Sequence, residues 1–135
     1  MEHNLWLVMR EVEKAQEKLE RGARLARDEM MARLIQLAKE QIKGDRDQVG
    51  YPAESGKPPM NVTGNLRRSI RGEKFRTGFA SYSALVGPTI IYGRRVELGG
   101  GNWPSNVNFP YMRPAFEQYK KEHYYIMRKH LTLRG

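Results

Sequence analysis

The sequence predicts an α+β fold: a long N-terminal helix, a short central helix, a small antiparallel sheet and a C-terminal helix packed on that sheet. Three observations carry this expectation. From Asn4 to Lys43 there is no proline and a single glycine, and apolar residues return at steps of three and four. From Phe79 to Gly87 small or apolar residues alternate with serine, the period of a half-buried strand. From Pro114 onward the spacing of three and four resumes.

A chain of 135 residues fits one domain. It divides into the N-terminal helix over 1–43, facing a partner in part, a polar loop or arm over 44–59, and a compact α+β body over 60–135.

The first helix carries an apolar stripe at Val8, Val12, Ala15, Leu19, Ala23, Ala26, Met30, Leu34, Leu37 and Ala38. Glu17–Arg21, Glu20–Arg24 and Glu29–Arg33 are acid-before-base pairs four residues apart, each contributing about 0.2–0.5 kcal/mol. Unbroken, such a helix is ~60 Å long, whereas a globule of this size is ~28 Å across. Part of it therefore projects, or it kinks near Gly22. The middle of the stripe is small (Ala15, Gly22, Ala23, Ala26), and its end is bulky (Met30, Met31, Leu34, Ile35, Leu37, Ile42). We expect the final third to pack on the core and the first two thirds to meet another chain. A helical hairpin or a two-stranded coiled coil is the alternative, which the small residues disfavour.

Gly44 is placed to end this helix, and 45–59, rich in Asp, Gly, Pro, Glu and Ser, reads as a long loop. Pro58 and Pro59 forbid helix just before the central element, and Asn61 or Thr63 is placed to cap it. Leu66 and Ile70 fall one turn apart on one face, with Arg67, Arg68 and Arg71 around the other sides. This spacing describes a docking element: a stiff approach, a small apolar face and a basic rim.

Strands follow over Gly72–Thr77 and Phe79–Gly87, with a turn at Thr77-Gly78. Ala80, Tyr82, Ala84 and Val86 share one face, Ser81 and Ser83 the other, and Pro88 closes the second strand. Thr89 to Leu98 reads as a short helix or turn that packs Tyr92 and Val96 inward. Gly99-Gly100-Gly101 is a break, and Trp103, Pro104, Phe109, Pro110 and Tyr111 form an aromatic, proline-rich approach to the last helix. Pro114 suits the first position of that helix. Its inner stripe is Ala115, Phe116, Tyr119, His123 or Tyr124, Ile126, Met127, His130 and Leu131.

Chemistry is sparse. With no cysteine there is no disulfide framework and no thiolate zinc site, which suits a reducing compartment. No run approaches the ~20 apolar residues of a membrane span. Leu5 to Met9 is too short for the core of a signal peptide, so a soluble chain not exported by a signal is expected. Gly50 to Lys57 fails as a phosphate loop: the glycine spacing is one residue too long, and Pro58 stands where Ser or Thr would hold magnesium. His123 and His130 share a helical face but lack a third ligand. Glu54, Glu73 and Glu97 are isolated carboxylates, and Glu97, set between Val96 and Leu98, is expected to bond backbone or a basic partner. No catalytic, cofactor or metal site is read, and no enzyme is expected.

The net charge of +9 points to nucleic acid or to an acidic protein surface, although solubility alone would also account for it. Arg67, Arg71, Lys74, Arg76 and Trp103 are the candidate partner-facing residues, with Tyr111 a second aromatic placed to stack a base. No helix-turn-helix, zinc-finger or RNA-binding strand signature accompanies them.

Two stretches carry a resemblance. One is Thr63-Gly64-Asn65-Leu66-Arg67-Arg68-Ser69-Ile70. The other runs through Tyr92, Val96-Glu97-Leu98-Gly99 and Pro110-Tyr111-Met112-Arg113-Pro114-Ala115-Phe116. In this order they resemble the neck and tail-completion proteins of long-tailed bacteriophages, the gene-product-ten-like tail components, a group similar to minor tail protein Z. The chain departs from the pattern at Val62, where an acid is common, at Tyr111, where Phe is usual, and at Gly100, where Thr or Ser is frequent. The resemblance implies a structural virion protein of the head–tail junction, assembled in the host cytoplasm into a homo-oligomeric ring of six. Its partners would be head-closure or connector, tail-terminator or tail-tube proteins, with non-specific proximity to phage DNA, no membrane, no cofactor and no catalytic residue. A basic nucleic-acid-binding module is the alternative.

Overall fold

The computed structural model describes residues 2–42, 64–90, 93–98 and 110–131. The arm over 44–59, and Asn61, Thr63, Tyr92, Gly99 and Trp103, lie outside the described residues.

Helix α1 (Glu2–Gln41) is a single helix of 40 residues. It closes with a tight turn in which the Ile42 N–H donates to the Lys39 carbonyl at 3.2 Å. The helical span runs without a break through Gly22, where a kink was the alternative to a projecting end. That glycine is buried where the end of the chain crosses the helix, and a Cβ there would stand 2.2 Å from the backbone oxygen of His130. Gly22 serves close approach, not bending.

Helix α2 (Asn65–Ser69) is one short turn. Its capping position falls to Gly64, in the left-handed region at φ 78°, with no side-chain cap hydrogen bond. Asn61 and Thr63, the caps expected from sequence, lie outside the described residues, and the position beside the helix is a glycine in a backbone conformation other residues resist. The Gly64 carbonyl accepts from the Arg68 N–H at 3.0 Å. Leu66 and Ile70 are buried together, as their spacing predicts.

Strands β1 (Ile70–Gly78) and β2 (Ser81–Pro88) pair antiparallel, from Ile70 opposite Pro88 to Gly78 opposite Ser81, and make the whole sheet among the described residues. The turn is Phe79-Ala80 instead of Thr77-Gly78. A register irregularity between Arg76 and Gly78 takes Thr77 out of the pairing, and Ala80 carries the positive φ of 49°. Ala80, Tyr82, Ala84 and Val86 form the inner face as expected, and the residues between them are mostly exposed. Gly72 lets this face lie close on α1, since a Cβ there would meet Met31 and Ile35. Beyond the sheet, the Thr89 N–H and hydroxyl both donate to the Ser69 carbonyl, at 2.9 and 3.0 Å, tying the hairpin back to α2.

Helix α3 (Gly93–Leu98) buries Val96. The expected C-terminal helix is present in two pieces, α4 (Met112–Tyr119) and α5 (His123–Leu131). They are joined by three-residue closures from Lys121 to Gln118 and from Glu122 to Tyr119. Helix α4 starts at Met112, with Tyr111 as the capping position, so Pro114 is its third residue and not its first. It still lies in the first turn, where a missing N–H costs no helical bond. Both helices take most of their packing from α1, which also carries the sheet. Leu37, Ala38, Ile42, Leu66, Ile70, Val96, Tyr111, Ala115, Tyr119 and Ile126 make the core. Phe116, placed on the inner stripe from sequence, is exposed, because α4 and α5 meet α1 along a narrower strip than the spacing allows, and of the alternatives His123 and Tyr124 it is His123 that is partly buried.

Candidate functional site

Glu97 is the joint between two elements. Its Oε2 accepts from the backbone N–H of Tyr111 at 2.6 Å and of Met112 at 2.9 Å, and its Oε1 accepts from the Arg113 N–H at 3.0 Å. These are orphan donors of the first turn of α4, where a carboxylate also meets the positive end of the helix dipole. The expectation that Glu97 bonds backbone is met. Pro110 leads the chain into this clamp, half-buried. Tyr111 is fully buried, and its hydroxyl donates to the Gly93 carbonyl at 2.8 Å. It is a core residue and cannot stack on a base. Val96, Ala115 and Leu66 pack beside it in the core, and Arg113 is exposed at the rim.

The residues of the α2 stretch divide. Leu66, Ser69 and Ile70 face inward, and the Ser69 hydroxyl donates to the Leu66 carbonyl at 2.7 Å. Arg68 bends back on its own turn and donates to Asn65 Oδ1 at 2.7 Å. Arg67 and Arg71 are exposed.

Lys74 and Arg76, placed from sequence among partner-facing residues, instead join the hairpin to α1. They lie opposite Ala84 and Tyr82 and so share the inner face. Lys74 Nζ is 3.2 Å from Asp28, and Arg76 donates to Glu20 at 2.9 Å. Glu20 also accepts from the Ala80 N–H at 2.8 Å and from the Tyr82 hydroxyl. The Tyr82 and Ala80 hydrogen bonds, opposed by partial desolvation and helped by Arg76, hold the Glu20 carboxyl down to about 2. The same carboxylate raises the Tyr82 hydroxyl above its ordinary value. Burial works against ionisation of Asp28, but hydrogen bonds from Arg27 and Lys74 outweigh it and lower its pKa. Arg27 also donates to the Phe75 carbonyl at 3.0 Å and lies 5.0 Å from the Tyr82 ring centroid.

A second set of charges fastens α4 and α5 to α1. Arg33 Nε lies 3.0 Å from Glu122, Lys129 lies 2.7 Å from Glu29, and His130 Nε2 lies 3.5 Å from the same Glu29. The Lys129 hydrogen bond is the main cause of a lowered Glu29 pKa. Glu20, Glu29 and Arg33 thus pair with other elements and not along their own helix, where the four-residue spacing places their partners. Sequence spacing shows only the neighbours on one helix; these partners lie 56 to 100 residues away. His123 is likewise occupied, its Nδ1 lying 2.9 Å from the Tyr119 hydroxyl. Among the described residues no three metal-ligating side chains come together, and no helix is long and apolar enough to cross a membrane.

Two apolar surfaces among the described residues bear on partners. Between the hairpin and α4–α5, with α1 as its floor, runs a groove of about 460 Å³ lined largely by Ala, Met, Val and Leu side chains. Leu5, Trp6, Leu7, Val8, Met9 and Val12 are all at least 44% exposed on the N-terminal end of α1. Every described side chain from 4 to 18 is exposed, so the contact with the body begins near Leu19 and not at the final third of the helix. The short apolar run at Leu5–Met9 was a visible signal of this surface; the groove has none, since it arises from elements far apart in the chain. No protein-family model matches the chain, and neither a curated protein nor a solved structure matches it.

Proposed function

We propose that this chain is a structural assembly protein, one that works by shape and contact and performs no reaction. The observation that carries the reading is the bare end of α1. Six large apolar side chains on one projecting helix are left in water, and exposed apolar surface gathered in one place marks an interaction site. Ion pairs in the rest of the molecule fasten α1, the hairpin and α4–α5 to one another. Such a body suits a rigid carrier for a docking helix.

The finer proposal is the neck or tail-completion position at the head–tail junction of a long-tailed bacteriophage, in a six-membered ring beside head-closure and tail proteins. What supports it is the order of the three motifs in the sequence: Thr63 to Ile70, Val96 to Gly99, and Pro110 to Phe116. Labelling intact particles with antibody to this protein should mark the junction of head and tail. Removing its gene should leave filled heads and finished tails that do not join. Normal joined particles without the protein would overturn the assignment.

The exposed Arg67, Arg71 and Arg94 favour a second reading, contact with nucleic acid. Binding to duplex DNA through several phosphates must weaken steeply between about 50 and 200 mM salt. Tight binding of that kind by the isolated protein would favour this reading over assembly.

A further inference from the structure

We propose that the bare end of α1 docks into the groove between β2 and α4–α5 of a second copy of this chain, joining copies head to tail. This rests on the assembly reading and names the surfaces that carry it.

The docking segment is helical and has one apolar edge. Leu5, Val8, Met9 and Val12 stand at positions i, i+3, i+4 and i+7, and they are 61%, 59%, 56% and 50% exposed. That is the spacing by which an amphipathic helix lays its apolar face into a groove. The receiving groove offers matching walls. Ala84 and Val86 line it from the sheet, Met127 and Leu131 from α5, and Met30 from the floor. Thioether side chains of this kind adapt to the shape of an incoming residue.

Charge agrees with this pairing. Residues 1–18, the end of α1 not fastened to the body, hold four acidic against three basic side chains, whereas 19–135 hold 11 acidic against 21 basic. The free end of α1, with one acid in excess, is therefore weakly attracted to the strongly basic remainder of another copy, as it would not be were both parts basic. The lining of the groove itself includes Arg27 and His123 and no carboxylate.

The occupant has to come from another molecule. The floor of the groove is α1 itself, at Ala23, Ala26 and Met30, and α1 is one unbroken helix. Its own N-terminal end points along that axis and cannot fold back onto it. A contact that uses one surface on each copy, and two different surfaces per copy, is heterologous. It closes into a ring where the rotation allows and otherwise extends as a filament.

Mixing two variants of the full chain tests this. Val8→Asp/Met9→Asp spoils the helix end at exposed positions, where the fold is unaffected. Ala84→Trp fills the groove, with Ala84→Arg as a second version should the first not fold; circular dichroism and urea unfolding check each. By analytical ultracentrifugation, the unaltered chain should associate with rising concentration. Each variant alone should lose about a hundredfold or more in self-association, the scale of removing one or two buried apolar side chains. Mixed together, the two should form a one-to-one complex, because the intact helix end of one meets the intact groove of the other. A groove-filled variant that assembles normally would overturn the inference, as would an unaltered chain that stays monomeric or a mixture that stays monomeric. In each case the particle-labelling result would stand on its own, so the site of docking and the assembly role fail separately.

Discussion

Replacing Glu97 should cost more than its place on a short helix suggests. The carboxylate satisfies three backbone donors at the start of α4, and one of them belongs to Tyr111, which has no exposure to water. In Glu97→Ala the Arg113 N–H, on an exposed residue, finds water, but the Tyr111 N–H loses its carboxylate acceptor on a residue with no exposure to water. Loss of a helix cap typically costs about 1 kcal/mol, and a stranded buried donor adds a penalty of its own, so a total of about 2–3 kcal/mol is expected. Glu97→Gln keeps one acceptor oxygen but loses the charge and turns an amide NH₂ toward backbone donors; about 1 kcal/mol is expected. With a urea slope of about 2 kcal/mol/M, the midpoints should fall by about 1 M for alanine and by half of that for glutamine. Amide exchange at Tyr111 and Met112 should quicken in both. An alanine variant whose midpoint moves by less than about 0.2 M, with an unchanged slope, would show that the clamp contributes nothing and that α4 is held by its apolar contacts alone.

Three further outcomes follow from the packing. Gly22→Ala should destabilise the fold by about 1–3 kcal/mol in thermal or urea unfolding, despite the better helix propensity of alanine, because its methyl meets the His130 carbonyl; a more stable variant would mean that α5 does not seat there. Tyr111→Phe should cost about 1–2 kcal/mol by the same assay, since it leaves the buried Gly93 carbonyl without its donor; an unchanged midpoint would remove that hydrogen bond from the account. Glu20, held to about 2 when folded against an ordinary 4.5, stabilises the fold above pH 4.5, and this contribution is lost as pH falls toward 2. Glu20→Gln should therefore lower stability at neutral pH and flatten the acid limb of the stability–pH curve between those values, and an unaltered acid limb would contradict the assignment.

Much of the architecture was legible because it is local. Steps of three and four marked α1, and alternation at Ala80, Tyr82, Ala84 and Val86 marked the inner face of β2. The position of Glu97 between Val96 and Leu98 marked it as a residue that bonds backbone. What stayed hidden was long-range. The basic residues at 74 and 76 read as a free rim because their acidic partners, Asp28 and Glu20, lie on another element. Gly22 read as a flexible point because the carbonyl that requires it comes from His130, at the far end of the chain. The turn moved to Phe79-Ala80 because a register irregularity, which composition does not reveal, takes Thr77 out of the pairing. Of the candidate docking residues, the helix end showed itself as an apolar run, whereas the groove exists only once three elements have met.

The division of α1 into a fastened half and a free half has a thermodynamic consequence. An isolated helix must first form a costly nucleating turn, but here Leu37, Ala38 and Ile42 fix that turn inside the body. Residues toward the N-terminus then only extend a structure that already exists, one hydrogen bond at a time. An incoming molecule meets a segment whose backbone has been put in order beforehand, so little entropy remains to be lost on contact. Protection against amide exchange should decline smoothly from Ala26 toward Leu5, the signature of a rod anchored at one end.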